Sequence, residues 1–108
     1  MIKVLIAEDE EGILYSISNA FSWENMGCEI IGLAQNGIQA LEYSLSTPPD
    51  IVISDIVMPG IDGITFLRYL KEKYPNTQFI ILTGHRNFEY ACDALNPVSY
   101  THLTLPTT

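Results

Sequence analysis

Positive charge is scarce in this chain: five Lys and Arg stand against 13 Asp and Glu, a net charge of −8 at pH 7. A nucleic-acid backbone needs a basic face, so direct nucleic-acid binding by this segment is excluded, while cations or a basic protein surface suit it better. Cysteine is almost as rare. Cys28 and Cys92 have no metal-ligand spacing and no third or fourth thiol beside them, so they read as two ordinary buried thiols of a reducing cytosol. Long apolar runs are missing too, and none approaches the roughly 20 residues of a membrane span. The N-terminus, MIKVLIAEDEE, turns acidic at Glu8, which a secretory signal does not do. The expected location is cytoplasmic.

What is present is apolar and periodic. Hydrophobic residues make up 47% of the 108 positions, too many for disorder and enough for one domain with a single core. Short apolar runs alternate with helix-period segments. "IKVLIA" (2–7) reads as the first strand, followed by Ile13, Leu14, Ile17, Ala20 and Phe21 on one helix face. "CEIIGLA" (28–34) is the second strand. Asn36 with Gln39 three residues later opens a second helix in a capping-box pattern, with Ile38, Leu41 and Leu45 expected inside and Thr47-Pro48-Pro49 as its stop. "DIVIS" (50–54) is the third strand. Asp62 is placed to cap a helix carrying Ile64, Leu67 and Leu70, which "YPN" (74–76) ends. "QFIIL" (78–82) is the fourth strand, and Phe88, Ala91, Cys92 and Leu95 repeat as a fourth helix face. Strands this rich in Val and Ile, alternating with helices, predict a parallel sheet with helices on both faces and right-handed crossovers.

The character changes near residue 96. "PVSYTHLTLPTT" has no charged residue other than His102 and no Gly, and it is rich in Thr. "VSYTHLTL" has strand propensity but no helical pattern after it. Residues 1–95 are therefore read as the domain, and 96–108 as an atypical tail that is foreign to it and is placed to fill a vacant fifth-strand position. Without such a strand, "QFIIL" would be an exposed apolar edge that invites pairing between chains; with it, the tail still supplies no fifth helix, so apolar surface is expected to remain and the chain to self-associate.

Ligands of open parallel sheets sit beyond the carboxyl ends of the strands. After the first strand come Glu8, Asp9, Glu10 and Glu11; after the third comes Asp55; after the fourth come Thr83 and Gly84. If the first and third strands are neighbours, their backbones lie about 4.8 Å apart and Asp55 meets Asp9, with Glu8 near. Clustered carboxylates raise one another's pKa unless a cation neutralises them, and a hard oxygen-seeking ion such as Mg²⁺ fits. Glu10 and Glu11 are accounted for by the helix macrodipole alone. His85 reads as a solvated loop residue and His102 as incidental.

"VLIAEDE", "DIVISDIVMPGIDGITFL" and "FIILTGHRNFEYA" together resemble the receiver domain of two-component response regulators, and most closely the receivers of AraC-type regulators. The resemblance covers residues 1 to about 95. It implies a flavodoxin-like three-layer α/β sandwich with parallel strand order 2-1-3-4 and a fifth strand missing or replaced by the tail. Asp55 would be the phosphoryl acceptor. Glu8, Asp9, Asp55 and the backbone carbonyl of Val57 would hold Mg²⁺, Thr83 would supply the switch hydroxyl, and the Gly84 N–H would help bind the phosphoryl group. The implied partners are a sensor histidine kinase and, in a full-length protein, a C-terminal DNA-binding output domain. The domain would not be an enzyme beyond its own phosphorylation and dephosphorylation. Receivers carry a Lys at the end of strand five, whereas no Lys follows Lys73 here. That departure leaves a second reading, a receiver-derived fragment with the fold and metal site but without signalling competence.

Two rivals fare worse. A flavodoxin-like FMN carrier needs a donor-rich loop after the first strand, and "AEDEEG" would repel phosphate. A haloacid-dehalogenase-type phosphatase needs a second Asp two residues after its nucleophile, where Val57 stands.

Overall fold

The computed structural model describes residues 1–55, 60, 63–83 and 101–104. In chain order they form β1 (Ile2–Ala7), α1 (Glu11–Ala20), a short 3₁₀ turn (Glu24–Met26), β2 (Cys28–Ala34), α2 (Gly37–Ser46), β3 (Ile51–Asp55), α3 (Gly63–Lys73), β4 (Gln78–Thr83) and β5 (Thr101–Thr104). The strands make one sheet in the order β2-β1-β3-β4-β5, and every neighbouring pair is parallel. The expected 2-1-3-4 order is present, and the tail supplies the strand beside β4. The fourth predicted helix, with Phe88, Ala91, Cys92 and Leu95, and the Asp62 cap lie outside the described residues.

Side-chain alternation along the strands divides the core in two. Leu5, Ala7, Val52, Phe79 and Ile81 pack with Ile64, Phe66, Leu67 and Leu70 of α3 and with Ala40 of α2. Val4, Ile6, Ile53 and Leu82 point the other way, toward Leu14 and Ile17 of α1. Strand residues two apart share a face, so the buried runs serve both layers at once. Central β1 is sealed from Val4 to Ala7, whereas edge β2 is only partly buried between its ends.

Two helix phases differ from expectation. Ile38 and Leu45 of α2 are 51% and 47% exposed, and the residues turned inward are Gly37, Ala40 and Ser44, with Leu41 partly buried. Small side chains let the helix axis approach the sheet more closely than Ile and Leu would, and that close approach sets the rotation. The approach is tight also at Tyr43: a Cβ on Gly32 of β2 would fall 2.5 Å from the Tyr43 ring, so this strand position admits Gly alone unless the ring moves. On α1, Leu14 is buried and Ile13 and Ile17 partly so, but Ala20 and Phe21 are exposed. They border an apolar groove floored by Ile51, Ile53, Ile80 and Leu82.

The boundaries that aim the site are fixed by hydrogen bonds. Asn36 Oδ1 accepts from the Gln39 N–H at 2.8 Å, as the capping pattern predicts, while Gln39 Oε1 accepts from the Gln35 N–H at 2.9 Å, one residue before the N-cap N–H that a capping box uses. At the amino edge of the sheet, Asp50 ties three strands together: its N–H donates to the Lys3 carbonyl, its carboxylate accepts from the Lys3 N–H, and its carbonyl accepts from the Gln78 N–H. β3 runs one residue later than expected, so Asp55 is itself a strand residue, opposite Leu82 of β4.

Candidate functional site

Parallel register carries the acids to one place. Ala7 lies opposite Ser54 and Asp55 opposite Leu82, so the residues just after β1 and at the end of β3 emerge together at the carboxyl edge. Glu8 continues the β1 path, its N–H donating to the Ala34 carbonyl of β2 at 2.9 Å. One carboxylate oxygen from each of Glu8, Asp9 and Asp55 lies within 4.8 Å of the other two. The sequence expectation had put Asp9 against Asp55 with Glu8 near, and these three carboxylates do converge.

The three environments differ. Glu8 is 1% exposed, Asp55 is half-buried and Asp9 is exposed. Glu8 Oε1 accepts a hydrogen bond from the Glu10 N–H at 3.1 Å. Oε2 is buried and, among the described residues, receives no hydrogen bond. Burial pushes the Glu8 carboxyl up from 4.5 to about 8, and the charges of Asp55 and Asp9 push the same way, against the Glu10 N–H, which lowers it. Two like charges about 4 Å apart near a protein surface repel by on the order of 4 kcal/mol. Such a cluster has two stable forms, one holding a proton on Glu8 and one holding a cation.

The donors favour the cation. All three are hard carboxylate oxygens, with no imidazole or thiolate among them, and Glu8 contributes a carboxylate with one buried oxygen that has no donor among the described residues. That set fits Mg²⁺ or a similar oxygen-seeking divalent ion and not a soft metal.

The remaining predicted residues are placed less fully. Thr83 ends β4, opposite Thr104 of β5 and one residue beyond the partner of Asp55. Val57, Gly84 and His85 lie outside the described residues. His102 sits within β5 opposite Ile81. One feature has no signal in the sequence reading: Gly60 has a left-handed backbone (φ +86°), and a Cβ there would fall 3.3 Å from Ile38 Cγ1. A Pro-Gly pair is a turn signal, but nothing local names the residue of another element that lies near it.

The family model for the response regulator receiver domain matches residues 4–106. An uncharacterised transcriptional regulatory protein of Bacillus subtilis, YesN, is 42% identical over 95 residues, which are 88% of this chain and 26% of YesN. The chain therefore spans about a quarter of that relative. Among solved structures, the REC domain of AraT, a response regulator from Geobacillus stearothermophilus, is 37% identical with a TM-score of 0.90, covering 98% of this chain and 82% of that one. A two-component transcriptional regulator AraC from Clostridium phytofermentans is 25% identical with a TM-score of 0.88, covering 96% and 81%.

Proposed function

The chain belongs to the response regulator receiver domain family, and from that premise we propose that Asp55 takes a phosphoryl group from the phosphohistidine of a sensor histidine kinase. One Asp55 carboxylate oxygen attacks phosphorus, the P–O bond forms as the donor's P–N bond breaks, and the imidazole leaves with the electron pair and takes up a proton. The observation that carries this reading is the acidic edge itself: three carboxylates within 4.8 Å, one of them buried with an unpartnered oxygen. A nucleophile at the end of a packed strand is held by the core, and positioning supplies most of the rate in phosphoryl transfer.

Glu8, Asp9, Asp55 and the Val57 carbonyl would hold Mg²⁺, with Asp9 as direct ligand and Glu8 acting through water. When bound, the ion neutralises charge on the transferring phosphoryl oxygens, so that an anion can attack an anion. Thr83 would turn its hydroxyl to the acquired phosphoryl group, and the Gly84 N–H would bind it. The chemistry is confined to the chain's own phosphorylation and dephosphorylation. A DNA-binding output domain in a full-length protein is supported by the transcriptional regulators among its relatives. No helix among the described residues is long and apolar enough to cross a membrane, consistent with a cytoplasmic setting.

Residues 96–108 form an atypical end to the domain, and β5 favours the second reading in one respect. Its four residues, Thr101–Thr104, contain no Lys, and none follows Lys73. The phosphoryl group would lack an ammonium partner, so phosphorylation without the usual conformational switch is expected. Intact-mass analysis with acetyl phosphate tests the main reading. One phosphoryl group should add to the wild type with Mg²⁺, none with EDTA, and none to Asp55→Asn in either condition. Equal labelling of the Asn variant would rule Asp55 out.

A further inference from the structure

Among the described residues four buried side chains are polar: Glu8, Ser44, Ser54 and Thr77. Glu8 belongs to the acidic edge. Ser44 Oγ donates to the Ala40 carbonyl, one turn back in its own helix, at 2.7 Å, and Thr77 Oγ1 ties the start of β4 to the Pro49 carbonyl at 2.7 Å. Ser54 stands beside the phosphoacceptor. It is 0% exposed, and its Oγ donates to the Asp55 carbonyl at 2.8 Å.

Packing does not call for that hydroxyl. Ser54 lies opposite Ala7 of β1 and Ile81 of β4, two residues beyond Val52 and so on the same face of the sheet. Ala7, Val52 and Ile81 all belong to the apolar core under α3. An Ala at position 54 would fit there with no polar atom to desolvate, whereas a buried hydroxyl carries a cost that its hydrogen bond must offset. What the hydroxyl adds is direction. The Asp55 carbonyl turns by rotation about the Cα–C bond of Asp55, and the hydrogen bond resists that rotation.

We propose that Ser54 is a positioning residue for phosphoryl transfer: its hydroxyl holds the Asp55 carbonyl and thereby fixes the backbone from which the acceptor carboxylate projects. This rests on the reading of Asp55 as phosphoacceptor. The link between carbonyl and carboxylate is rotameric. The side-chain torsions open to a residue depend on its φ and ψ, so a restrained ψ at Asp55 narrows the directions its carboxylate takes. Asp55 is only half-buried, so its neighbours enclose it on part of its surface, and the backbone carries more of the task. A nucleophile held in one orientation before the donor arrives reacts faster than one that must be ordered in the encounter. The same restraint serves a metal, because the Asp55 oxygen lies within 4.8 Å of those of Glu8 and Asp9.

The experiment compares Ser54→Ala and Ser54→Thr with the wild type and takes Ser44→Ala as control. Ser44 is as fully buried and also donates to a backbone carbonyl, but it sits on α2, where its own carbonyl accepts from the Tyr74 hydroxyl that follows α3. Each Ala variant loses one buried hydroxyl, so a purely structural role predicts the same behaviour for both. Labelling by acetyl phosphate is followed by intact mass over a range of donor concentrations at saturating Mg²⁺. Mg²⁺ affinity is read by calorimetry and folding by melting in EDTA, with every assay run where all variants are folded. A misplacement of about 1 Å costs on the order of 10²-fold, and Ser54→Ala, which loosens the carboxylate without displacing it, should lower the maximal labelling rate about tenfold. The donor concentration giving half that rate should change little, and Mg²⁺ binding should weaken. Ser44→Ala should label and bind Mg²⁺ like the wild type while melting as low as Ser54→Ala. Ser54→Thr keeps the hydroxyl and should restore most of the rate; if its extra methyl prevents folding, the two Ala variants decide the matter. An undiminished maximal rate in Ser54→Ala, an equal loss in Ser54→Ala and Ser44→Ala, or a folded Ser54→Thr as slow as Ser54→Ala would overturn the proposal while leaving the phosphoacceptor reading intact. A wild type that does not label at Asp55 would overturn both.

Discussion

Replacing Glu8 with Gln should stabilise the metal-free protein at alkaline pH and remove much of its response to Mg²⁺. The substitution keeps the shape and the Oε1 acceptor that meets the Glu10 N–H. It replaces the unpartnered Oε2 with an amide donor and removes one charge from the cluster of three carboxylates. The folded-state pKa of Glu8 is raised from 4.5 to about 8, so between those values the folded chain binds a proton that the unfolded chain has lost. Stability therefore falls as pH rises through that window, and the loss is complete only above the folded value. At about 1.4 kcal/mol per unit, the shift sets a ceiling of about 5 kcal/mol at pH 9. Exposed Asp9 can swing away and relieve part of this, which leaves an expected gain of about 2 kcal/mol for the Gln variant, or roughly 10 °C in melting temperature for a domain of this size. The assay is thermal melting in EDTA from pH 5 to 9, repeated with excess Mg²⁺. The two proteins should be nearly equal at pH 5 and diverge upward. At a Mg²⁺ concentration 100 times its dissociation constant the wild type should gain about 2.7 kcal/mol, and the variant clearly less. Parallel pH profiles in EDTA, or a Gln variant less stable than the wild type at pH 9, would refute the claim that an uncompensated carboxylate is buried there.

Two further outcomes follow from the packing. Gly32→Ala should destabilise the domain by about 2 kcal/mol in urea titration, the usual scale of an overpacked contact, because the new Cβ meets the Tyr43 ring; the cost should shrink in a Tyr43→Ala background, and equal costs in both would show that the ring is not the obstacle. Ending the chain after residue 96 removes β5 and leaves β4 as an unpaired apolar edge, so sedimentation should show concentration-dependent self-association; a truncated chain as monomeric and as stable as the intact one would mean that β5 protects nothing.

Local chemistry determined a good deal. Continuous apolar runs bounded by polar turns mark buried parallel strands, and β1, β2 and the start of β4 fall where those runs lie. The acids that follow β1 and end β3 were legible as a cluster because strand ends in a parallel sheet share an edge, and Glu8, Asp9 and Asp55 do meet. The Asn36–Gln39 cap was readable for the same reason: both partners lie within one turn.

What the sequence left open depends on surfaces brought together from far apart along the chain. A helical period shows that α2 has an apolar side, but the rotation that turns Ile38 and Leu45 outward is decided by how closely Gly37, Ala40 and Ser44 let it approach the sheet. The order of burial among the acids was not readable either. Asp9 and Glu8 are neighbours in sequence, yet the β1 path, tied to Ala34 of β2, carries Glu8 inward and leaves Asp9 in water. The apolar groove floored by Ile51, Ile53, Ile80 and Leu82 and bordered by Ala20 and Phe21 exists only once α1 is docked on β3 and β4. Desolvation and steric fit are properties of an enclosed volume, and a volume is enclosed only when segments distant in sequence close around it.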